Sequence, residues 1–300
     1  MQVVSLGKQS GFIYSLRVFA QDIKLSHSIF ALPFVGVALT LTGVQGVTLL
    51  KIIKIVFCMI TARSFAMGMN RYLDRGLDRD NQRTNRRALP VGSINPSSYL
   101  TITVVFGLLF VVLSFSLSPL AGLLSPILLA VLGFYSLMKR LSWLTHWYLG
   151  VCLGLAPIAA QLALFNEVTR PIIALAVAVS AWTAGFDLLY SLQDKEFDRN
   201  QGLHSAPAKF GHKAAIWLSR FIFVAMIFSL VLAGQMSGVG AAWYFGVSIV
   251  AAILIAEHWI VREAMTLGTS SKINVAFFNL NALVSVLLFI FSVVDLYVRV

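Results

Sequence analysis

The stretch that decides the fold reads SYLTITVVFGLLFVVLSFSLSPLAGLLSPILLAVLGFYSLM, from Ser98 to Met138. It holds no charged side chain, and it is about twice as long as the roughly 20 apolar residues that cross a bilayer as one helix. Only the short segment SLSPLAG, Ser116 to Gly122, separates its two halves. We therefore predict two membrane-spanning helices, over residues 98–117 and 119–138.

Composition extends this prediction to the whole chain. Hydrophobic residues make up 58% of the 300 residues and charged residues 12%, and the mean hydropathy is +0.84. In a soluble domain about 25% of the residues are charged. We expect a single domain, residues 1–300, that is an all-α polytopic membrane bundle of about nine transmembrane helices. The further spans are predicted at residues 26–44, 48–70, 146–165, 170–190, 213–234, 239–261 and 274–297.

The basic residues indicate how the chain is oriented. The net charge is +11, and in a membrane protein such an excess reports topology and anionic headgroups rather than nucleic-acid binding. Nine spans place seventeen lysines and arginines on the side of the N-terminus and two on the other, with four inside spans or at their ends. Because cytoplasmic loops are rich in Lys and Arg, we predict an inner- or plasma-membrane protein whose N-terminus and two long polar loops are cytoplasmic.

The first polar loop begins with a row of oxygen-bearing side chains. In NRYLDRGLD, the residues Asn70, Asp74 and Asp78 recur every four positions. On a helix that continues out of the second span, this spacing stacks them along one face.

The segment DLLYSLQDKEFD carries a second row, formed by Asp187, Tyr190, Asp194 and Asp198. Their spacing of i, i+3, i+7 and i+11 again describes one face of a continuous helix. Carboxylates at the ends of membrane helices are costly unless they are paired or bind a cation. All-oxygen donors suit Mg²⁺, which also takes ligands from substrate phosphates. Two rows on the same side of the membrane therefore predict a shared Mg²⁺ site rather than solvated loops.

Arginines are interleaved with the first row and follow it. Most of them can be explained by topology alone, yet a metal-bridged diphosphate requires carboxylates for the metal and charge-assisted donors for the rest of the anion. A membrane transporter with an acidic cation site stays open as the alternative, because intramembrane acids also mark ion pathways. The arginines concerned are Arg71, Arg75, Arg79, Arg83, Arg86 and Arg87.

These motifs resemble those of the UbiA superfamily of membrane prenyltransferases. NRYLDRGLD is similar to the first NxxxDxxxD motif of that family, and DLLYSLQDKEFD is similar to its second DxxYxxxDxxxD motif. Four further segments resemble family signatures in the same order: LSHSIFALPF from residue 25, RTNRRALP from residue 83, YSLMKR from residue 135 and GLHSAPAKFG from residue 202. The resemblance implies a helical bundle around a central cavity that opens near the cytoplasmic side.

The resemblance also implies a reaction, the Mg²⁺-dependent transfer of a polyprenyl group from polyprenyl diphosphate to the ring of a hydroxyaryl carboxylic acid. The implied metal ligands are Asn70, Asp74, Asp78, Asp187, Asp194 and Asp198, of which Asp74, Asp78, Asp194 and Asp198 are expected to be catalytic. The expected substrate-binding residues are Arg71, Tyr190, Lys139, Arg140 and Arg63, with Arg140 or Lys139 the first candidate for the acceptor's carboxylate and Arg63 the second. An allylic cation needs aromatic walls, for which we expect Phe65, Tyr72, Phe134, Tyr135, Phe186 and Tyr190.

Within the superfamily, the sequence resembles the branch of 4-hydroxybenzoate polyprenyltransferases, which includes relatives in menaquinone synthesis. We therefore expect 4-hydroxybenzoate as the acceptor, in quinone biosynthesis. Arg71 departs from the pattern, because the better-known ubiquinone enzymes often carry aspartate after the asparagine. A dihydroxynaphthoate-type menaquinone precursor stays open as the acceptor for that reason. The expected partners are the two substrates and membrane lipid, with no nucleic acid and no obligate protein partner.

The five histidines receive no role. His27 and His204 lie within family-like segments, but a lone histidine near the end of a span is more often a packing or interface residue. His146, His212 and His258 show no spacing that would predict a shared site.

Overall fold

The computed structural model describes residues 11–24, 32–267 and 279–299. These residues form helices joined by short connections, and no strand occurs among them. The helices, in chain order, are α1 Phe12–Asp22, α2 Leu32–Thr42, α3 Leu49–Asp80, α4 Pro96–Leu117, α5 Pro119–Leu141, α6 Thr145–Phe165, α7 Arg170–Ser191, α8 Lys195–Asn200, α9 Ala206–Ser237, α10 Ala241–Leu267 and α11 Asn281–Arg299. The predicted all-α class is confirmed.

Seven helices in the described ranges, α4 to α7 and α9 to α11, are long and apolar enough to cross a membrane. Their outward faces carry large apolar side chains, such as Leu108 at 62% exposure and Phe221 at 77%, which in water would be a costly surface. An integral multi-pass membrane protein is therefore confirmed. The count of nine spans stays a prediction, since two helices are not among the seven. One is α2, which has eleven described residues and follows residues 25–31 outside the described ranges, and the other is α3, which carries many charged residues.

One residue, Ser118, separates the two spans of the opening stretch. Its extended backbone (φ −154°, ψ 150°) ends α4, and its hydroxyl accepts a hydrogen bond from the N–H of Ala121 at 3.1 Å in the first turn of α5. Pro119 occupies the first turn of α5, where the missing N–H of proline removes no helical hydrogen bond. The boundary predicted between residues 117 and 119 is confirmed.

The central helix is α7, which packs between α6 and α9. Gly150 and Gly154 on α6 allow the close approach, because a Cβ on Gly150 would collide with the backbone carbonyl of Ser180 and one on Gly154 with the Ser180 side chain. Small residues permit such backbone proximity in membrane bundles. This contact fixes the middle of α7, seven residues before Asp187 of the second polar row, against the N-terminal half of α6.

The α9 helix is interrupted at Gly211, whose φ of +80° and ψ of 173° are not helical. A positive φ is accessible to glycine at little cost, and the kink separates the first turns of α9 from its long apolar part. The predicted span, residues 213–234, begins just after this kink.

Replacing Gly150 by alanine tests the α6–α7 contact. We expect Gly150→Ala to destabilise the protein by about 1–3 kcal/mol, because the backbone of α7 must move to admit the methyl group. Gly76→Ala on α3 is the matched control, since nothing lies within 4 Å of its added Cβ. Thermal unfolding in detergent micelles measures both, and equal midpoints for the two variants would contradict the packing described.

Candidate active site

A cavity of about 1280 Å³ lies at the end of the bundle where α3, α5 and α7 end and α6 begins. Its walls come from α1, α3, the connection after α3, α5, α6 and the region from α7 to α8. Both polar rows reach it. The row members that line it are Asn70, Asp74, Asp78, Asp187, Tyr190 and Asp194.

The first row lies on a continuous helix, as its spacing predicts, because α3 runs unbroken to Asp80. Asn70 Nδ2 donates to Asp74 Oδ2 at 2.8 Å, which links successive turns. Arg140 Nη2, from α5, contacts Asp74 Oδ1 at 2.9 Å. Arg87 Nη1, from the connection after α3, contacts both oxygens of Asp78 at 2.6 and 2.7 Å.

The second row does not lie on one helix, and that prediction is wrong. The α7 helix ends at Ser191, a 3₁₀ turn covers Leu192–Asp194, and α8 begins at Lys195. Because a 3₁₀ turn has three residues per turn instead of 3.6, the register of the row changes after Tyr190. Asp194 still reaches the cavity.

Asp194 and Asp198 are each held by a basic side chain. Arg83 contacts the two Asp194 oxygens at 3.0 and 2.7 Å and donates to the Tyr190 hydroxyl at 3.2 Å. Lys139 Nζ lies 2.7 Å from Asp198 Oδ1. Asp198 is 0% exposed and is not among the residues that line the cavity, so its carboxylate is held behind the wall.

The donor types in the cavity fit Mg²⁺, since carboxylate and amide oxygens are its preferred protein ligands. Among the described residues, however, no three Asp, Glu, His or Cys side chains are already gathered around one point. Instead, arginine and lysine side chains form ion pairs with Asp74, Asp78, Asp194 and Asp198. Burial raises the pKa of Asp74, and the hydrogen bond and charge of Arg140 oppose that rise, so the ion pair favours the ionised form. Metal ligation by the six residues stays a prediction.

The basic residues that are expected to bind substrate differ in the ion pairs and hydrogen bonds that they already form. Lys139 and Arg140 are in the ion pairs described above. Arg63 lines the cavity, and its Nη1 donates to the Lys24 carbonyl at 3.4 Å. Arg71 lines the cavity at 9% exposure. Its Nη1 donates to Asn70 Oδ1 at 2.9 Å, but among the residues that the structure describes its buried Nε has no hydrogen-bond acceptor.

Only two of the six predicted aromatic walls, Tyr135 and Tyr190, line the cavity. The prediction is wrong for the other four, which pack elsewhere. Phe65 lies against Gly107, Tyr72 lies under Arg75 at 4.4 Å, Phe134 contacts Tyr148 with ring centroids 5.8 Å apart, and Phe186 contacts Trp182 at 4.8 Å.

Sequence reasoning missed α1, which contributes to the cavity wall. Asp22 at its end accepts from the Tyr99 hydroxyl at 2.7 Å and from the Ala88 N–H at 2.9 Å. Phe12 and Ile13 at its start are 71% and 82% exposed. Eleven residues are too few to span a bilayer, so the search for long apolar segments passed over this helix. Its apolar residues at helical spacing were the available signal.

His146 was also missed, because its position in the sequence predicts no shared site. Its Nδ1 lies 2.7 Å from Asp187 Oδ2, and its Nε2 accepts a hydrogen bond from the N–H of Ala206 at 3.3 Å. The residue lines the cavity and is 2% exposed. No short-range pattern signals a pair whose members lie 41 residues apart.

Comparisons with known proteins agree with this geometry. The model of the UbiA prenyltransferase family matches residues 31–293. The 4-hydroxybenzoate octaprenyltransferase of Alkalilimnicola ehrlichii is 29% identical over 73% of this chain and 75% of its own length. The 4-hydroxybenzoate geranyltransferase 1 of Lithospermum erythrorhizon is 31% identical over 68% of this chain and 66% of its own length.

Solved structures show the same fold. The apo structure of a UbiA homologue from Aeropyrum pernix K1 is 29% identical, with a TM-score of 0.79 over 90% of this chain and 98% of that one. A UbiA homologue from Archaeoglobus fulgidus, bound to DMAPP and Mg²⁺, is 17% identical, with a TM-score of 0.68 over 96% of this chain and 100% of that one.

The buried pair of Lys139 and Asp198 gives a stability prediction. Lys139→Met leaves the Asp198 carboxylate buried without its cation, and we expect a loss of about 3–5 kcal/mol. The double variant Lys139→Met/Asp198→Asn should regain part of that loss, because no charge is left behind. Lys195→Met is the control, since Lys195 contacts the exposed Glu196 at 3.4 Å and exposed pairs contribute at most about 1 kcal/mol. Thermal unfolding in detergent would contradict the assignment if the two single variants behaved alike.

Proposed function

The chain belongs to the UbiA prenyltransferase family, and on that premise we propose that it transfers a polyprenyl group from polyprenyl diphosphate to the ring of a hydroxyaryl carboxylic acid. The proposed acceptor is 4-hydroxybenzoate, in quinone biosynthesis, as the names of the two relatives suggest. That the chain is an aromatic prenyltransferase follows from the family and from these relatives, and a transporter is no longer the alternative. The observation that carries the proposal is the single cavity in which both aspartate rows meet a larger set of basic side chains.

The charge of the cavity supports anionic substrates. Nine lysines and arginines and five aspartates are among its lining residues, which leaves an excess of positive charge when all are ionised. A diphosphate and a carboxylate are both anions that guanidinium groups bind through charge-assisted hydrogen bonds. The cavity therefore suits the two substrates together better than either neutral molecules or cations.

Mg²⁺ fits the donor set as a proposed cofactor, with Asn70, Asp74, Asp78, Asp187, Asp194 and Asp198 as the residues that would hold it. When bound, it supplies positive charge to the diphosphate leaving group. The basic residues that now neutralise these aspartates, Arg83, Arg87 and Arg140, are also donors that a diphosphate accepts from. The Archaeoglobus fulgidus homologue, bound to DMAPP and Mg²⁺, supports this reading at the level of the family.

In the proposed reaction the protein binds the two substrates, orients them and shields the reacting atoms from water. The allylic C–O bond breaks and the diphosphate leaves with the electron pair, the ring carbon beside the hydroxyl forms the new C–C bond, and that carbon then loses its proton. Tyr135 and Tyr190 present aromatic side chains to the cavity, where they can stabilise an allylic cation through their π faces.

We propose Arg71 as the residue that binds the acceptor's carboxylate, in place of Arg140 or Lys139. Its guanidinium is buried and lines the cavity, and within the described residues its Nε has no hydrogen-bond acceptor. Asp22 Oδ2, at 3.9 Å from Nε, is too distant for a hydrogen bond. A substrate carboxylate in the cavity can accept charge-assisted hydrogen bonds from this guanidinium.

Arg71 also leaves a second candidate acceptor open, a dihydroxynaphthoate-type acid. It stands where the better-known ubiquinone enzymes often carry aspartate, so the acceptor pocket here differs in charge at that position. For orientation, we propose that the cavity end of the bundle faces the cytoplasm across the inner or plasma membrane, since the basic residues concentrate there.

The proposed role of the aspartates in binding metal and diphosphate can be tested by measuring turnover. We expect Asp74→Asn and Asp194→Asn to abolish prenyl transfer from a polyprenyl diphosphate to 4-hydroxybenzoate, because an amide cannot replace a carboxylate as an anionic ligand. EDTA should abolish it in the wild type and Mg²⁺ should restore it. Asp80→Asn and Glu196→Gln, two exposed acids outside the cavity lining, should retain turnover. Full activity in the two cavity variants would refute the assignment.

The acceptor assignment is tested by steady-state kinetics. Arg71→Gln should raise the KM for the aromatic acid about 10- to 100-fold, the range that corresponds to a lost charge-assisted hydrogen bond, with little change in the KM for the polyprenyl diphosphate. Arg75→Gln, one turn along α3 and outside the cavity lining, is the matched control. Comparing 4-hydroxybenzoate with dihydroxynaphthoates identifies the preferred acceptor. If Arg71→Gln raised only the KM for the diphosphate, the carboxylate role would be wrong.

A further inference from the structure

His146 joins three helices at the wall of the cavity. It lies in the first turn of α6, its Nδ1 contacts Asp187 on α7 at 2.7 Å, and its Nε2 contacts the N–H of Ala206 in the first turn of α9 at 3.3 Å. With 2% of the residue exposed, the ring has both nitrogens engaged and little room to turn.

These two contacts fix where the ring proton lies. A backbone N–H can only donate, so Nε2 must offer a lone pair to Ala206, and Nδ1 must carry the proton that is donated to Asp187. His146 therefore acts as a hydrogen-bond donor toward the Asp187 carboxylate.

Asp187 therefore differs from the other aspartates of the two rows. Asp74, Asp78, Asp194 and Asp198 each contact an arginine or lysine. Within the part of the chain that the structure describes, the only ion-pairing group within 4.0 Å of Asp187 is His146. Asp187 is thus a cavity-lining carboxylate that is oriented by an imidazole donor and, within the described residues, pairs with no lysine or arginine.

We propose that His146 is a positioning residue that presents Asp187 as the anchoring carboxylate for the catalytic cation. The proposal rests on the proposed function, because it concerns the metal of that reaction. The cation meets no competing lysine or arginine at Asp187, whereas at the other row members it must displace one. Hydrogen-bonded partners of ligating carboxylates orient them, and losing such a partner lowers metal affinity about 10- to 100-fold.

Metal binding can be measured without turnover. We would titrate purified protein in detergent with Mn²⁺ in the presence of inorganic diphosphate and follow the free Mn²⁺ signal by electron paramagnetic resonance. His146→Phe, which keeps an aromatic ring but no donor, should weaken Mn²⁺ binding about 10- to 100-fold. His258→Phe is the control for loss of a half-buried histidine, because His258 lies on α10, outside the cavity lining, and contacts the Leu254 carbonyl.

Two further variants separate positioning from a structural role. His146→Asn keeps a donor near the place of Nδ1 and should retain most of the Mn²⁺ affinity. His146→Gln reaches toward Ala206, in place of Nε2, and should not. If His146 serves only to cap α9, the order of the two variants reverses, and the proposal is overturned.

A double variant covers the case in which His146→Phe is poorly folded. If the histidine acts through Asp187, adding His146→Gln to Asp187→Asn should change Mn²⁺ affinity no further, because the two residues act as one unit. Additive losses would overturn the proposal. A wild type that binds no Mn²⁺ would instead refute the metal in the proposed function, and unchanged affinity in a folded His146→Phe would refute only the role of His146.

Discussion

A buried carboxylate near the end of a membrane helix needs a cation, and the cavity end of this bundle is organised by that constraint. The cations come from elements other than those that carry the aspartates. Arg140 on α5 contacts Asp74 on α3, Lys139 on α5 contacts Asp198 on α8, and Arg83 after α3 contacts Asp194. Each pair joins two segments, so the charges that suit the site to a diphosphate also hold the helix ends together before any substrate is bound.

The same pairs explain why the metal site is not already assembled. Arginine and lysine neutralise carboxylates in the absence of ligand, and a diphosphate offers those cations another anion. A metal and a diphosphate together can thus replace one set of ion pairs by another without leaving a buried charge alone. Asp187 lies outside this exchange, because its contact is with the imidazole of His146 and not with an arginine or lysine.

Local sequence predicted those features that depend on local physics. The one-residue turn at Ser118 followed from the length of the apolar stretch, and the face shared by Asn70, Asp74 and Asp78 followed from helical spacing. The predictions failed where a change of helix type or the packing of two helices, rather than residue spacing, determined the structure. The 3₁₀ turn at Leu192–Asp194 changes the register of the second row, which spacing alone does not reveal. The contact of His146 with Asp187 depends on how α6 packs against α7, and no local signal records it.

The three-residue connection between α5 and α6, residues 142–144, has a mechanical consequence. It places Lys139, Arg140 and His146 on one short hairpin, and the carbonyl of Lys139 is further tied to the N–H of His204 at 2.7 Å. The cations of two aspartate contacts therefore cannot shift independently of the imidazole that orients a third aspartate. Evolution toward a new aromatic acceptor would meet the least resistance at the short helix α1, which is joined to the bundle through Asp22 and a small apolar cluster that includes Phe19.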